Sequence, residues 1–461
     1  MTTMPGFPRQ TRLLNGWWDF QPVPHPDLTV PLEPTEVPTE GWQFSSYLVP
    51  GLFTDNLYNE SWRTSRSSWA RTRFTLDELP EAQRLYLTIG AAIPQAHIFV
   101  NGRRVAIQED MFIGEPVEIT PYVQAGLNEL AVFLTEFRTF PHPQTGTISL
   151  IDVPWGCCIA SAQAGIWQDV TLEWRPMVQI EDVTIRTSVR QGALTTITRV
   201  RNTGTTVYVG SLRHTVLARE VLLFVLPPIP VTLAPGEAAE FSQTVTWKDY
   251  RPWCPEDPYL YHLQSDLEHG NGIADSVRTR FGFREVWIEG HRVLLNGQPQ
   301  RWSGEWCHKS HSHWLRPEYV RQWYQQIKDL NMNYVRMHTF PHPGYFLDIA
   351  DEMGILVCQE SALHGSGQSG IDTPQLWERA REHVRRMVWR DKNHPSLVLW
   401  SVENEMRWSL NIVPSAKEEL PKLRALFNRL DPTRPAYHDG DSSLWNEDEQ
   451  QLVSRHYGPA C

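Results

Sequence analysis

The sequence predicts a multidomain protein: two antiparallel β-sandwiches, then a parallel β/α barrel that lacks its last strands. Three observations predict it. Up to about residue 284 the apolar pattern repeats every two residues, in short runs broken by turns, as in sandwiches. From about residue 285 the period changes to 3.6, and short apolar strands alternate with helices, which implies a parallel sheet. Polar residues then recur at the ends of those strands, on the face where barrels carry their sites. The predicted division is 1–175, 176–284 and 285–461.

In the first region, residues 1–65 are rich in Pro and Trp with few periodic runs, and read as a wrapping segment rather than a helix. Strand signals begin at Ser68–Phe74 and continue through Leu85–Ile89, Ile98–Val105, Val117–Thr120 and Leu127–Val132. Asn101-Gly102 supplies the two positive-φ residues of a type I′ hairpin turn. Residues 140–170 are rich in loop formers, among them Pro154-Trp155-Gly156. So long a loop in a compact domain is usually functional, and it reads as reaching toward a neighbouring domain. A structural loop around a buried Trp is the alternative.

The second region alternates in Val183–Val189, Thr196–Val200 and Phe241–Thr246, with a turn at Leu233–Glu237. This fits an immunoglobulin-like sandwich. It holds no cluster of His, Asp, Glu or Cys and is assigned as a spacer. Val221–Leu226 reads as its one central buried strand.

In the third region Pro317 suits helix position N1, followed by Val320, Tyr324 and Ile327 at helical spacing. Gly354 stops the next helix. Thr373 caps a third, and Ser415–Glu418 reads as the capping box of a fourth. The strands are Asn333–His338, Ile355–Glu360, 397–405, Arg434–His438 and Val453–Tyr457. The apolar run Leu397–Trp400 ends in Glu403-Asn404-Glu405, two carboxylates flanking an amide. Polar groups mark the other strand ends: Glu305 with His308, His338, Glu360 with His364, Asp439 and His456. The stretch 285–461 falls well short of the ~250 residues of a complete barrel, so at most six strands are expected, with the seventh and eighth missing.

Composition narrows the partners. The chain has 461 residues, 41% of them hydrophobic, and a net charge of −11 that argues against nucleic acid or anionic membrane. No segment approaches the ~18 apolar residues of a membrane span, and Met1–Leu14 shows no apolar core of a secretory signal, so a cytoplasmic setting is expected. The six cysteines form no C-x-x-C pair, which fits neither a disulfide framework nor a zinc site. Twenty tryptophans are many, and about half are expected in clefts, where sugar rings stack on aromatic faces.

The motifs resemble those of the β-galactosidase, β-glucuronidase and β-mannosidase family of glycoside hydrolases, family 2. The resemblance rests on Val100-Asn101-Gly102, Gly165-Ile166-Trp167, Trp253–Tyr261, Phe281–Glu285, Asn333–Arg336 with His338, Asp351 with Gly354–Val357, Arg390–Ser396, and Trp400-Ser401 with Asn404-Glu405. They occur in family order over nearly the whole chain. The resemblance implies a jelly-roll β-sandwich, an immunoglobulin-like β-sandwich and a (β/α)₈ TIM barrel, in that order. It implies that Glu405 is the general acid/base, that Asn404 binds the sugar 2-hydroxyl, and that His338, Glu360 and His364 contact substrate. Trp400 and His308 are added as substrate-binding candidates, with Glu305-Trp306 as one wall of the pocket. Glu403 departs from the family's small residue. On a regular strand it shares a side with Glu405 and would raise its pKa, but a salt bridge to an Arg is preferred. The family's nucleophile, a Glu on strand seven, lies beyond residue 461.

Glu405 read alone fits a salt-bridged carboxylate at the barrel mouth, and the histidines fit polar core residues. No spacing imitates a metal site. The expectation is an O-glycosyl hydrolase acting on terminal β-linked sugars by the retaining route, with a galactoside as default. The alternative is a non-catalytic carbohydrate-binding or fragmentary relic of such an enzyme. No cofactor is expected, with a structural or substrate-site divalent cation left open. The partners are a carbohydrate substrate and, in principle, a second copy or a complementing chain.

Overall fold

A computed structural model describes residues 9–24, 27, 29–30, 32–52, 67–79, 82–156, 164–270, 272–307, 316–366, 369–440, 452, 454 and 456. His308, the Cys157-Cys158 pair, Asp441 and Tyr457 lie outside them.

The first sandwich packs a four-stranded sheet on a six-stranded one. The four-stranded sheet runs Gln10–Leu13, Val170–Pro176, Gln83–Ile89, Val117–Glu118 across its width. The six-stranded sheet runs Gln43–Val49, Gly16–Val23, Ser67–Leu76, Gly126–Thr135, Gln95–Val100, Arg103–Gln108. Inward residues such as Trp18, Phe20, Leu87, Ile98, Leu130 and Leu172 fill the space between them. The hairpin at Asn101-Gly102 forms as predicted, with φ of 49° and 77°. The wrapping segment is corrected. It holds no helix among the described residues, but it supplies three strands, at Gln10–Leu13, Gly16–Val23 and Gln43–Val49. Their alternation is hidden because both faces of Gly16–Val23 carry large side chains: Trp18 and Phe20 point inward and Trp17 outward.

The second sandwich sets Val178–Ser188, Ala193–Asn202 and Ala238–Thr246 against a sheet built on Tyr208–Ala218, Tyr261–His269 and Gly272–Phe281. Val221–Val225 is not central. Among the described residues it pairs only with Tyr208–Ala218 and forms the sheet edge, leaving Val221, Leu222, Leu223 and Val225 between 42% and 66% exposed. A continuous apolar run does not say which strand is central, because an edge hairpin carries the same residues.

A three-stranded antiparallel sheet, Val286–Glu289, Arg292–Leu295 and Gln298–Pro299, comes next, where helical periodicity was expected. Five parallel strands then line up in chain order: β1 (Gly304–Cys307), β2 (Tyr334–Met337), β3 (Leu356–Glu360), β4 (Leu397–Asn404) and β5 (Ala436–Asp439). Between them run α1 (Pro317–Asp329), α2 (Gly344–Met353), α3 (Pro374–Asp391) and α4 (Ala416–Leu430). The sixth strand expected at Val453–Tyr457 lies mostly outside the described residues. Residues 452, 454 and 456 are not in a strand, and the residues between them are outside the described set.

The helix ends follow local chemistry. Pro317 starts α1, Gly354 ends α2 at φ 73°, and Thr373 Oγ1 accepts the Leu376 N–H at 3.1 Å. The capping box at Ser415 does not form. Its hydroxyl instead donates to Asp372 and accepts from Trp377 Nε1, tying α4 to α3.

The largest apolar core ignores the domain division. It joins Met111, Phe112, Ile151, Val153, Trp155 and Trp167 of the first sandwich to Phe340, Ala362, Leu363 and Val384 of the barrel. The loop between 140 and 170 does reach its neighbour: Ile151 makes a parallel bridge to Gly370. The second sandwich grips the opposite, N-terminal face of the sheet. Asn393 bonds the main chain of Val183 and Ile185, and Arg284 donates to the carbonyls of Pro395 and Leu397.

Candidate active site

β4 is buried at every position from Leu397 to Asn404. Asn404 ends it, and Glu405 turns out of it in the left-handed region at φ 54°. Both residues are buried, at 1% and 4% exposure. The loop after β3 holds this end of the strand. Leu363 O accepts the Asn404 N–H at 2.9 Å, and Asn404 O accepts the Gly365 N–H at 2.8 Å. The loop must come this close. A Cβ on Gly365 would lie 2.1 Å from Glu405 O.

The centre of the site is Arg336, at the end of β2. It donates to both oxygens of Glu360, at 2.9 and 3.0 Å, and to Asn404 Oδ1 at 2.6 Å. It also pairs with Asp439 at 2.6 Å. Burial opposes its charge, but Glu360 and Asp439 hold its pKa above the ordinary value. Glu360 further accepts from Thr339 N–H at 2.6 Å and Ser401 Oγ at 2.7 Å. Burial still pushes it up to about 7, with Asp439 adding to the rise against the pull of Arg336.

His456 bridges the two acids on the other side. Its Nδ1 lies 2.8 Å from Glu405 Oε1 and its Nε2 3.1 Å from Asp439 Oδ1. The bond to Asp439 lifts it to about 9, against its partial burial, and the bond to Glu405 adds to the rise. Asp439 is pulled down to about 2. Burial alone would raise it, but His456, Arg336 and Ser454 meet its charge.

Glu403 does not make the expected salt bridge. Among the described residues it meets no Arg: one oxygen accepts the Met406 N–H at 2.9 Å and the other lies 3.5 Å from His438 Nδ1. Burial raises it to about 8. Nor does it share a strand face with Glu405, because the strand ends at Asn404 and the left-handed turn redirects the next side chain.

The other predicted residues separate. His338 and His364 face each other at the mouth, with ring centroids 6.0 Å apart, and the half-exposed Trp306 meets His338 edge-on at 4.9 Å. Glu305 is not in that wall. It turns to α1 and accepts from Trp323 Nε1 at 3.3 Å. Trp400 is also corrected. It is fully buried on the helix side of β4, stacked on Phe427 at 5.3 Å and donating to Asp431 at 3.0 Å. A strand buried on both faces offers no polarity cue to tell inward from outward residues. Most described tryptophans are core. Of the exposed ones, Trp306 and Trp408 stand beside strand ends at the mouth. Sequence reasoning missed Arg336 as the hub and Ser401 as a donor to Glu360. The available signal was a lone cation inside the apolar strand Tyr334–Met337.

The mouth carboxylates take their positive charge from Arg336 and His456, and the four donors on Glu360 leave it poorly placed to ligate a cation. Among the described residues, metal-like spacing occurs only at Asp348, Asp351 and His394, on the opposite face. Arg280 already pairs with both aspartates there.

Comparison with known proteins gives the following. Residues 284–457 match the glycosyl hydrolases family 2 TIM barrel domain, 178–284 match glycosyl hydrolases family 2, and 44–144 match the glycosyl hydrolase 2 galactose-binding domain-like model. The chain is 26% identical over 478 residues to a β-galactosidase of Psychromonas ingrahamii, covering 93% of this chain and 42% of that protein. It is 27% identical over 476 residues to a β-galactosidase of Vibrio vulnificus, covering 95% and 43%. The chain thus spans less than half the length of these relatives. Its fold is similar to the crystal structure of a Bacteroides uniformis β-glucuronidase, with TM-score 0.76, 22% identity, and 96% and 54% of the two chains covered. It is similar also to a β-galacturonidase from Eisenbergiella tayi bound to galacturonate, with TM-score 0.75, 23% identity, and 94% and 72% covered.

Proposed function

Because the chain belongs to glycosyl hydrolase family 2, we propose that it forms the substrate-facing part of a retaining glycoside hydrolase for terminal β-linked sugars, with Glu405 as general acid/base. The observation that carries this is the placement of Glu405. It is a buried carboxyl just past the C-terminal end of a parallel strand, in hydrogen-bond contact with a titratable imidazole. A general acid/base must give a proton to the leaving oxygen and then take one from water, and a partner that itself gains and loses protons suits both steps. Asn404, oriented by Arg336, is set to bond a sugar hydroxyl beside it. His338, His364 and Trp306 line the approach.

The retaining route needs a second carboxyl beside Glu405. Glu360 and Asp439 are poor candidates for it. Glu360 is bound by Arg336, Thr339 and Ser401, and Asp439 by Arg336, Tyr437, Ser454 and His456. A nucleophile needs an oxygen free to attack the anomeric carbon. A carboxylate brought up beside Glu405 would also raise its pKa into the range of a working acid. The sugar is read as a galactoside, following the β-galactosidase relatives. The proposed chemistry calls for no metal or organic cofactor.

The test is hydrolysis of nitrophenyl β-galactoside, glucuronide, galacturonide and mannoside by the chain alone and with a polypeptide carrying the rest of the barrel. The expected result is no turnover alone, turnover on complementation, and a loss of at least ~100-fold in Glu405→Gln. Hydrolysis by the chain alone would show that another carboxyl serves as nucleophile. Complementation without turnover, alongside retained sugar binding, would favour the non-catalytic carbohydrate-binding reading.

A further inference from the structure

The loop between β3 and α3, described over residues 361–366 and 369–371, is held from both sides. Its inner edge carries the site, through the two main-chain bonds that fasten Asn404 to Leu363 and Gly365. Its outer edge is held by the first sandwich. Gly156 N–H donates to Ala362 O at 2.8 Å, Ile151 N–H to Ser369 O at 2.8 Å, and Ile371 N–H to Ile151 O at 2.9 Å. The indole Nε1–H of Trp155 donates to the carbonyl of His364 at 2.9 Å.

A second contact backs up the first. His383 of α3 lies 2.8 Å from Asp110 of the sandwich through Nδ1, and its Nε2 faces the Ala362 N–H at 3.2 Å. A main-chain N–H can only donate, so Nε2 accepts and the ring proton sits on Nδ1, directed at Asp110. The loop is thus fixed at Ala362 by both its N–H and its C=O, and at His364 by Trp155.

Trp155 is 0% exposed, two-ringed and rigid, and it is packed from the far side by Gly370. A Cβ on Gly370 would fall 2.2 Å from the indole Cη2. Glycine at 370 therefore keeps the space that lets the indole reach His364.

We propose that Trp155 is a positioning residue. It fixes the main chain under His364 from the sandwich side, so Trp155 sets sugar affinity through the loop after β3 without itself touching the sugar. The part concerning affinity rests on the glycosidase reading. The part concerning His364 does not.

The experiment uses the full chain with its histidines ¹³C-labelled at Cε1 and the His364 resonance assigned by His364→Gln. Trp155→Phe keeps a six-membered ring and removes the donor together with the five-membered ring. Gly370→Ala keeps the donor and pushes the ring aside. Both variants are expected to move the His364 resonance and leave that of His214, in the second sandwich core, where it was. Calorimetric titration with methyl β-galactoside and methyl β-glucuronide is expected to show about fivefold weaker binding, the size of one lost hydrogen bond. The unfolding temperature serves as control for general damage. A His364 resonance unmoved in both variants overturns the proposal, whatever the affinity does. A moved resonance with unchanged affinity overturns the claim on sugar binding. Failure of the wild-type chain to bind any glycoside overturns the glycosidase reading instead, and the resonance alone then decides whether Trp155 positions His364.

Discussion

The two ends of the parallel sheet bury similar residues to opposite effect. On the N-terminal floor, cations and carboxylates are matched and spent on structure. Asp431 meets Arg434 at 2.9 Å and Trp400 Nε1 at 3.0 Å, and these contacts hold its pKa down although burial would raise it. Arg284 and Arg434 use their remaining donors on main-chain carbonyls from Lys392 to Leu397. At the C-terminal mouth the described carboxyls share partners. Glu360 and Asp439 share Arg336, Asp439 and Glu405 share His456, and burial pushes Glu360 and Glu403 up to about 7 and 8. A buried charge with a full set of partners is inert; one that competes for partners can change its protonation state. The floor is built for strength and the mouth for proton traffic.

The comparison breaks most visibly on the floor. Asp431→Asn strips the carboxylate partner from the buried guanidinium of Arg434. It is expected to cost about 3–5 kcal/mol in urea unfolding, by nearly the same amount at pH 5 and pH 8. A cost that fades toward either pH would mean the floor titrates like the mouth.

At the mouth the sign reverses with pH. Glu403 is raised from 4.5 to about 8 in the folded chain. Its neutral form therefore supports folding fully below pH 4.5, and that support is lost as the pH rises through 8. Glu403→Gln mimics the neutral acid permanently. Stability equal to wild type is expected at about pH 4.5, with a gain on the order of 3 kcal/mol above about pH 8. Parallel curves for the two proteins would remove the argument that burial holds this acid neutral.

The smallest effect sharpens where the mouth ends. Glu305 sits on a barrel strand but bonds Trp323 on the surface of α1. Glu305→Gln should change neither glycoside affinity nor stability by more than about 0.5 kcal/mol. A larger loss of affinity would return it to the pocket wall.

Much of this was legible in the sequence because local chemistry decides it. Asn101-Gly102 dictates its turn, Gly354 and Thr373 dictate helix ends, and the change of period separates sandwiches from barrel strands, although it sets in after the three-stranded sheet rather than at residue 285. Asn404 and Glu405 were legible as the polar close of a buried strand, because the apolar run stops there. What failed depends on partners distant in sequence. Trp400 looked like a pocket residue because nothing in a fully buried strand distinguishes its two sides. The Ser415 hydroxyl was taken from its own helix by Asp372. Arg336 gave no sign that one guanidinium would meet Glu360, Asn404 and Asp439, far along the chain, since that convergence exists only after the strands align. Val221–Val225 read as interior because sheet order is not written in any one strand.

The left-handed backbone at residue 405 has an evolutionary corollary. A glutamate there carries steric strain of about 1–2 kcal/mol that glycine would not, and glycine would also remove a carboxylate from a crowded acidic pocket. Laboratory selection for heat tolerance alone, with no demand for sugar chemistry, should therefore favour the substitution Glu405→Gly.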